Sequence, residues 1–217
     1  MLVCATAVAQ EYKYEIGGGF GMSSYMGDAN KDKPFSELHP SFGAVFRKNM
    51  DLRWAVKAGL MMGGISGNTQ NSDNVYPGNA SVEFSRKFFE LGGQIEFNFL
   101  PYSDKYPYLN TKKMAPYLMA GLGLTFAPED EFFFGLNLPV GLGVKYKVRN
   151  RINLGLEYSV RKLFGDNFDS PDKSGFNLDN PYQLNGGFMK NRDWYTVLMF
   201  SVTWDFGPND RRCTNIE

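Results

Sequence analysis

Residues 193–206, DWYTVLMFSVTWDF, carry the alternation that decides the fold. The even positions hold mainly large apolar side chains, whereas the odd positions include Ser201, Thr203 and Asp205. Successive side chains of a β-strand point to opposite faces of the sheet. The stretch therefore predicts a strand with one apolar and one polar face.

Seven further segments alternate in the same way, so the chain reads as eight strands. Together with the closing strand they cover residues 12–24, 40–48, 52–62, 89–99, 116–126, 136–144, 152–161 and 193–206. The first, second and fifth are weaker, and their inward positions hold glycine. Inward glycine suits a narrow, strongly curved sheet in which backbones approach closely. A ten-stranded alternative remains open if residues 165–191 contain a hairpin.

The content of the two faces separates a membrane barrel from a soluble β-sandwich. A sandwich carries mostly charged and polar side chains on its solvent face, but here the polar face holds much Gly and Ser with a few charges of both signs. Trp194 and Trp204 lie on the apolar face at a spacing that corresponds to about 25 Å across a membrane for tilted strands. The sequence therefore predicts an all-β protein, an eight-stranded antiparallel transmembrane up-and-down β-barrel.

The composition of the 217 residues excludes several classes of function. The chain has 23 acidic and 23 basic residues, so no net charge steers it to nucleic acid. Its apolar runs are too short for a membrane-spanning helix. His39 is the one histidine, which argues against multi-histidine metal sites. We predict no cofactor, no metal and no nucleic-acid partner.

The first ten residues predict an export signal. Residues 1–10, MLVCATAVAQ, form a short apolar run that ends in the small-x-small pattern of a signal peptidase site. We therefore divide the chain into a signal peptide at 1–10, an outer-membrane barrel at 11–206 and a periplasmic tail at 207–217. Acylation of Cys4 is the alternative, although the bulky Val3 stands where a lipoprotein has a small residue.

The connections between the segments alternate in length, as in outer-membrane barrels. Short turns at 48–51 and 149–151 mark the periplasmic side, and with an even number of strands both termini lie there too. Long polar connections at 26–38, 66–82 and 165–191 mark the outer side.

Two periplasmic features are larger than barrel closure requires. The connection 101–113 should be a short turn, yet it has 13 residues, and the tail continues beyond Phe206, an aromatic residue that fits the end of a barrel. After signal removal Cys213 is the one remaining cysteine, in a compartment that favours disulfides, so we predict an intermolecular disulfide. The predicted partner-binding residues are Tyr102, Lys105, Tyr106, Lys112, Lys113, Arg211, Arg212 and Cys213.

Charged residues of both signs occupy the predicted inward face. They are Glu15, Arg53, Lys57, Glu90, Glu96, Lys145, Glu157 and Arg161. The interior of an eight-stranded barrel is only wide enough for side chains to fill, and charges buried there must be paired. We therefore predict a structural ion-pair plug and no conduction, with a conducting or proton-relay path as the alternative.

Catalysis and calcium binding are further alternatives. His39 begins the second strand and Ser72-Asp73 lies in the next outer loop, which could form a Ser/His/acid set, but nothing in the sequence fixes their spacing. The run 129–131 holds three consecutive carboxylates, which are usually a solvated turn rather than a Ca²⁺ site. We predict that the protein is not an enzyme.

Several stretches carry a resemblance to a known family. Residues 14–28, YEIGGGFGMSSYMGD, resemble the opening of the PorG-like outer-membrane barrels of the type IX secretion system, and the similarity continues through 97–102, 115–123 and 204–207. The resemblance implies a non-enzymatic barrel, surrounded by outer-membrane lipids of a Gram-negative bacterium. It also implies a link to the periplasmic ring of the protein secretion and gliding machinery, which a lipoprotein and its partner form. The alternative is a generic surface barrel, like OmpX or OmpA, whose long outer loops bind ligands or host surfaces.

Overall fold

The computed structural model describes residues 12–26, 38–68, 83–104, 109–128, 133–149, 151–164 and 194–209. Eight strands account for most of them: β1 Tyr12–Met26, β2 His39–Asn49, β3 Trp54–Asn68, β4 Glu83–Asn98, β5 Met114–Ala127, β6 Phe133–Arg149, β7 Ile152–Phe164 and β8 Trp194–Asn209. The described residues include no helix that is long and apolar enough to cross a bilayer.

The strands close into a barrel in which each one pairs antiparallel with its neighbours in sequence and β1 pairs with β8. The predicted eight-stranded up-and-down barrel is therefore confirmed. The ten-stranded alternative is wrong, because β7 pairs directly with β8 from Ile152 to Lys162 and leaves no place in the wall for another hairpin. The start of β1 and the end of β8 meet at one end of the barrel, which we call the terminal end. The opposite end is the distal end.

Several strands extend beyond their predicted limits, and two boundaries at the terminal end change the assignment of individual residues. β3 begins at Trp54 rather than at residue 52, because the Asp51 carboxylate accepts hydrogen bonds from the backbone amides of Arg53 (2.7 Å) and Trp54 (2.8 Å) and fixes a turn there. The prediction that Arg53 faces the lumen is therefore wrong, since its side chain is exposed in this turn. β8 continues past Phe206 to Asn209, so residues 207–209 belong to the barrel wall.

The outer face of the barrel is apolar, as a membrane-spanning wall requires. Large exposed side chains point outward from every strand and include Ile16, Phe20, Phe42, Leu60, Leu91, Leu122, Leu142, Leu156 and Val202. Aromatic rings cluster toward both ends. Near the terminal end the centroids of Tyr14 and Phe46 lie 5.9 Å apart, and toward the distal end Phe89 and Phe126 stack at 5.4 Å. This arrangement matches the aromatic girdles that flank the apolar band of transmembrane barrels.

Inward glycine allows neighbouring strands to approach closely. A Cβ atom at Gly21 on β1 would lie 2.0 Å from the carbonyl oxygen of Leu198 on β8. One at Gly121 on β5 would lie 2.1 Å from the carbonyl oxygen of Gly93 on β4. Neither position accepts a side chain without movement of the adjacent backbone, so the glycines fit the predicted narrow, curved wall.

Candidate functional site

Four charged side chains toward the terminal end form a continuous network inside the lumen. Arg47 on β2 donates from Nη1 to Glu15 Oε2 (2.5 Å), and its Nε lies 2.8 Å from Glu96 Oε2. Lys145 on β6 donates to the same Glu96 carboxylate and, at 3.2 Å, to Asn98 Oδ1. All four charged side chains are buried. The network thus joins β1, β2, β4 and β6 through the interior.

A second pair crosses the middle of the lumen. Lys57 Nζ on β3 lies 2.5 Å from Glu157 Oε2 on β7, and the Tyr117 hydroxyl donates to the same oxygen at 2.9 Å. Lys57 Nζ also lies 3.7 Å from Glu96 Oε1, which connects this pair to the first network. Each charge of these two groups therefore faces at least one opposite charge, as burial requires.

A third cluster lies on the distal side of the second. Arg161 Nε on β7 donates to Glu90 Oε2 on β4 (2.7 Å), and the Tyr195 hydroxyl donates to the same oxygen (2.5 Å). Thr125 Oγ1 lies 3.1 Å from that hydroxyl and accepts a hydrogen bond from Asn137 Nδ2 (2.6 Å). These bonds tie five strands together around one carboxylate.

The described parts of the connection between β4 and β5, residues 99–104 and 109–113, lie at the terminal end. Tyr102 is only 5% exposed, its hydroxyl donates to Asn153 Oδ1 (3.0 Å), and its backbone amide donates to the carbonyl oxygen of Leu52 (3.0 Å). Asn153 Nδ2 in turn donates to Asp205 Oδ1 (2.5 Å), and the other oxygen of Asp205 lies 3.0 Å from Lys147 Nζ. Burial, reinforced by nearby carboxylates, raises the pKa of the Tyr102 phenol well above its usual range. The phenol therefore stays protonated and serves as a donor that closes the barrel mouth.

Apolar side chains fill the distal part of the lumen. The buried cluster there consists of Met61, Ile65, Phe88, Ala127, Phe133, Leu163, Tyr195, Val197 and Met199. The rings of Phe88 and Tyr195 meet edge to face with centroids 5.0 Å apart, so the apolar layer rests directly on the Glu90 cluster. The alternation of the sequence predicts a polar inward face, so this apolar layer was not predicted. The sequence does indicate this layer, because Phe88 on β4 and Ile65 on β3 are apolar residues at inward positions near the distal ends of their strands.

A small cavity remains between the polar layers. It has a volume of about 50 Å³ and is lined by inward glycines and by charged side chains that include Arg47, Lys57, Glu90 and Arg161. A space of that size holds a few water molecules at most. Within the described residues, paired charges and apolar packing occupy the rest of the lumen, which is the plug that the sequence predicted. The absence of conduction stays a prediction.

The predicted lumen charges point inward with the exception of Arg53. Three further cations, Arg47, Arg86 and Lys147, are buried there and were not predicted. The alternation along the second strand could have predicted Arg47, because positions 43 and 47 point to the same face and Gly43 was predicted to face inward. Lys147 likewise continues the inward parity of β6 beyond the point where the predicted strand ended.

The predicted partner-binding residues differ in where they lie. Lys105, Tyr106, Arg211, Arg212, Cys213 and the signal peptide at 1–10 fall outside the described residues. Lys112 and Lys113 are exposed at the terminal end, and the Lys112 amide donates to the carbonyl oxygen of Pro101 (2.8 Å). Tyr102 is buried in the barrel mouth, where its side chain closes the barrel instead of facing a partner.

His39, the residue of the alternative catalytic set, lies at the distal start of β2. Its Nε2 is hydrogen-bonded to Ser66 Oγ on β3 at 2.7 Å. Ser72-Asp73 and the carboxylates of 129–131 fall outside the described residues. Among the residues with described positions, no group of three or more His, Cys, Asp or Glu side chains could hold a metal ion.

Comparison with known proteins identifies a family and a fold. The family described as Domain of unknown function (DUF6089) matches residues 1–215. Among curated proteins, none matches this sequence at a significant level.

Solved structures similar to this chain are outer-membrane barrels. Neisserial surface protein A is 13% identical with a TM-score of 0.54, over 89% of this chain and 97% of that protein. Ail of Yersinia pestis, in complex with the heparin analogue sucrose octasulfate, is 12% identical with a TM-score of 0.50, over 90% and 99% of the two chains. OprG of Pseudomonas aeruginosa is 12% identical with a TM-score of 0.50, over 92% and 98%. At these identities the similarity establishes the fold alone.

Proposed function

We propose that this chain, which belongs to the DUF6089 family, is a non-enzymatic outer-membrane barrel that anchors or links a periplasmic assembly. The observation that carries the proposal is the filled lumen, in which ion pairs such as Lys57 to Glu157 are stacked beneath an apolar layer. A barrel filled in this way does not serve as a conduit. It acts through its surfaces, namely the lipid-facing wall, the outer loops and the terminal end.

The assembly that we propose is the periplasmic ring of the type IX secretion and gliding machinery. The resemblance of residues 14–28 and 204–207 to PorG-like barrels supports this choice. The described parts of the connection between β4 and β5 support it as well, because Tyr102 closes the barrel mouth there and Lys112 and Lys113 are exposed. In this proposal the terminal end faces the periplasm, and the partners are the ring lipoprotein and its partner protein.

Crosslinking in native outer membranes tests the proposal. A tagged chain is crosslinked, purified and analysed for the two ring proteins, and the same is done for a Lys112→Gln/Lys113→Gln variant. Arg53→Gln is the matched control, because Arg53 is an exposed cation in another turn of the same end. We expect both ring proteins with wild type and Arg53→Gln and a clear loss with the double variant. Wild-type protein that captures neither ring protein contradicts the proposal.

Cys213 gives a covalent version of the same test. In an oxidising compartment a thiol without a partner in its own mature chain forms a mixed disulfide with a periplasmic protein or with a second copy. Non-reducing electrophoresis of outer membranes should show a larger band that collapses on reduction and is absent in Cys213→Ser. A wild-type protein that runs only as the monomer without reductant contradicts the covalent link.

A surface barrel that binds ligands through its outer loops is the second candidate. It is favoured by one observation, namely that Ail, which shares this fold, is found in complex with a heparin analogue. Replacement of residues 70–81 and 166–192 by short Gly/Ser linkers distinguishes the two candidates. The anchoring function predicts that wild type and the loop variant capture the ring proteins equally. The loop-binding function predicts that neither captures the ring proteins and that the loop variant loses the surface binding that wild type shows.

A further inference from the structure

A cationic cavity lies on the rim of the terminal end. It has a volume of about 450 Å³, which is in the range of small-molecule sites. Its lining residues are Asp104, Lys113, Lys147, Val148, Arg149, Arg151 and Ile152. Basic residues therefore outnumber acidic ones by four to one in the lining of this rim cavity.

Apolar lining residues place the rim cavity at the edge of the membrane. Val148 and Ile152 are exposed on the outer, lipid-facing surface of the wall. Ile152 pairs with Trp204 on β8, which is 58% exposed on the same surface, and the exposed Tyr146 lies on the outer face of β6. Trp and Tyr side chains at barrel ends lie at the level of the lipid headgroups. The rim cavity therefore opens at headgroup level, next to the acyl-chain region that Val148 and Ile152 contact.

Backbone hydrogen bonds fix the position of two of the cations. The Lys147 amide donates to the carbonyl oxygen of Lys113 at 2.8 Å, and the Asp205 amide donates to the carbonyl oxygen of Arg151 at 2.8 Å. Lys113 and Arg151 thus extend from backbone that is anchored to β6 and β8. Such anchoring lowers the conformational cost of holding a ligand between them.

The charge of the rim cavity comes from its exposed cations. Lys147 is buried, with its Nζ 3.0 Å from Asp205 Oδ2 and 4.0 Å from Asp104 Oδ1. The carboxylates of Asp104 and Asp205 therefore offset the positive charge of Lys147. Lys113 and Arg149 are exposed and add positive charge at the opening, where the exposed Arg151 also lies.

We propose that the rim cavity binds the headgroup of an anionic membrane phospholipid, for which phosphatidylglycerol is the probe. The arginine guanidinium offers a planar fork of donors that matches phosphate oxygens, and lysine adds a point charge. The acyl chains of the lipid continue along Val148 and Ile152, on the apolar wall below the cations. The bound lipid holds the terminal end at a fixed height in its leaflet. This inference rests on the rim cavity, which shares Lys113 with the proposed partner surface but is tested through Arg149 and Arg151.

Native mass spectrometry of the full chain in detergent tests this site. Short-chain phosphatidylglycerol, phosphatidylcholine and inorganic phosphate are titrated separately into wild type, Arg149→Gln/Arg151→Gln and the control Arg53→Gln. We expect phosphatidylglycerol to bind wild type and Arg53→Gln equally and the double variant at least about tenfold more weakly, as for the loss of two basic residues at an anionic membrane surface. Phosphatidylcholine, which has the phosphate but no net charge, should bind wild type more weakly than phosphatidylglycerol.

Three outcomes overturn the proposal. They are undiminished phosphatidylglycerol binding by the double variant, equal binding of phosphatidylcholine, and displacement of the lipid by inorganic phosphate at equal concentration. The last result assigns the rim cavity to free phosphate. Heat modifiability on electrophoresis checks that each variant is folded, and Arg149→Gln alone carries the same expectation should the double variant not fold. Unchanged crosslinking of the ring proteins to Arg149→Gln/Arg151→Gln, beside lost lipid binding, separates this site from the proposed partner surface.

Discussion

Lys57 and Glu157 form an ion pair with Nζ and Oε2 2.5 Å apart, although 100 positions separate them in the sequence. Their strands, β3 and β7, are not neighbours in the sheet but stand on opposite sides of the closed barrel. The pair therefore connects opposite walls through the interior. Because Glu96 lies 3.7 Å from the same Lys57 Nζ, the loss of one partner also affects the network of Arg47.

Glu157→Leu should destabilise the barrel by about 3 kcal/mol. The substitution leaves the buried Lys57 without its nearest carboxylate and removes the acceptor of the Tyr117 hydroxyl. Removal of one partner from a buried pair typically costs this much. Glu96, 3.7 Å from Lys57 Nζ and already paired with Arg47 and Lys145, compensates the remaining charge only in part. Urea unfolding of the barrel in vesicles, followed by tryptophan fluorescence, measures the change in the free energy of unfolding.

The double variant Lys57→Met/Glu157→Leu is the matched control for this effect. Replacement of both buried charges by apolar side chains of similar size is often nearly neutral. We expect it to recover most of the stability, short of about 1 kcal/mol for the Tyr117 hydroxyl. If the double variant is no more stable than Glu157→Leu, the single substitution does not act through the buried charge of Lys57.

The wild-type barrel should not conduct ions in planar bilayers. Two blocks lie in series within the lumen, namely the paired charges and the distal apolar layer. Removal of one block leaves the other in place, so Phe88→Ser should remain closed as well. Stable, ion-selective channels from the purified wild-type protein contradict this prediction and favour the conducting alternative.

Tyr102→Phe should lower the free energy of unfolding by about 1 kcal/mol. The phenol donates to Asn153 inside the barrel mouth, and its raised pKa keeps the donor proton in place at any ordinary pH. Tyr146→Phe serves as the control, because Tyr146 is exposed on the outer face. Equal losses for the two variants show that the Tyr102 hydrogen bond does not stabilise the terminal end.

The sequence predicts the wall of this barrel better than its interior. Alternation around Trp204 and Ile152 is strong because one face must meet lipid, and those strands were found with nearly correct limits. β4 begins at Glu83 rather than at residue 89. The prediction missed this start because the adjacent Arg86 and Lys87 place charged side chains on both faces, so the alternation of polar and apolar residues is absent there.

The interior pairs could not be assigned from the sequence. Parity places a side chain in the lumen but does not say which of several charges it meets, since the pairs join strands that are far apart in the chain. Arg47 illustrates this, because it bridges Glu15 and Glu96 on two different strands. The rim cavity depends in the same way on where Asp104 and Lys113 lie, and no periodic pattern encodes the position of these two residues outside the strands.

Gly21→Ala should prevent normal closure of the barrel, whereas Gly93→Ala should be tolerated. Each substitution adds one methyl group to a membrane strand, so the two differ in surroundings rather than in chemistry. The added Cβ at Gly21 would lie 2.0 Å from the carbonyl oxygen of Leu198. Because this oxygen belongs to the backbone, the steric clash can be relieved only if β1 and β8 separate. At Gly93 a Cβ would meet nothing within 4 Å, because it points out of the wall. We expect little or no heat-modifiable, folded protein from Gly21→Ala and a wild-type yield from Gly93→Ala in parallel refolding experiments. Equal yields from the two variants contradict the close approach of β1 and β8 at the seam where the barrel closes.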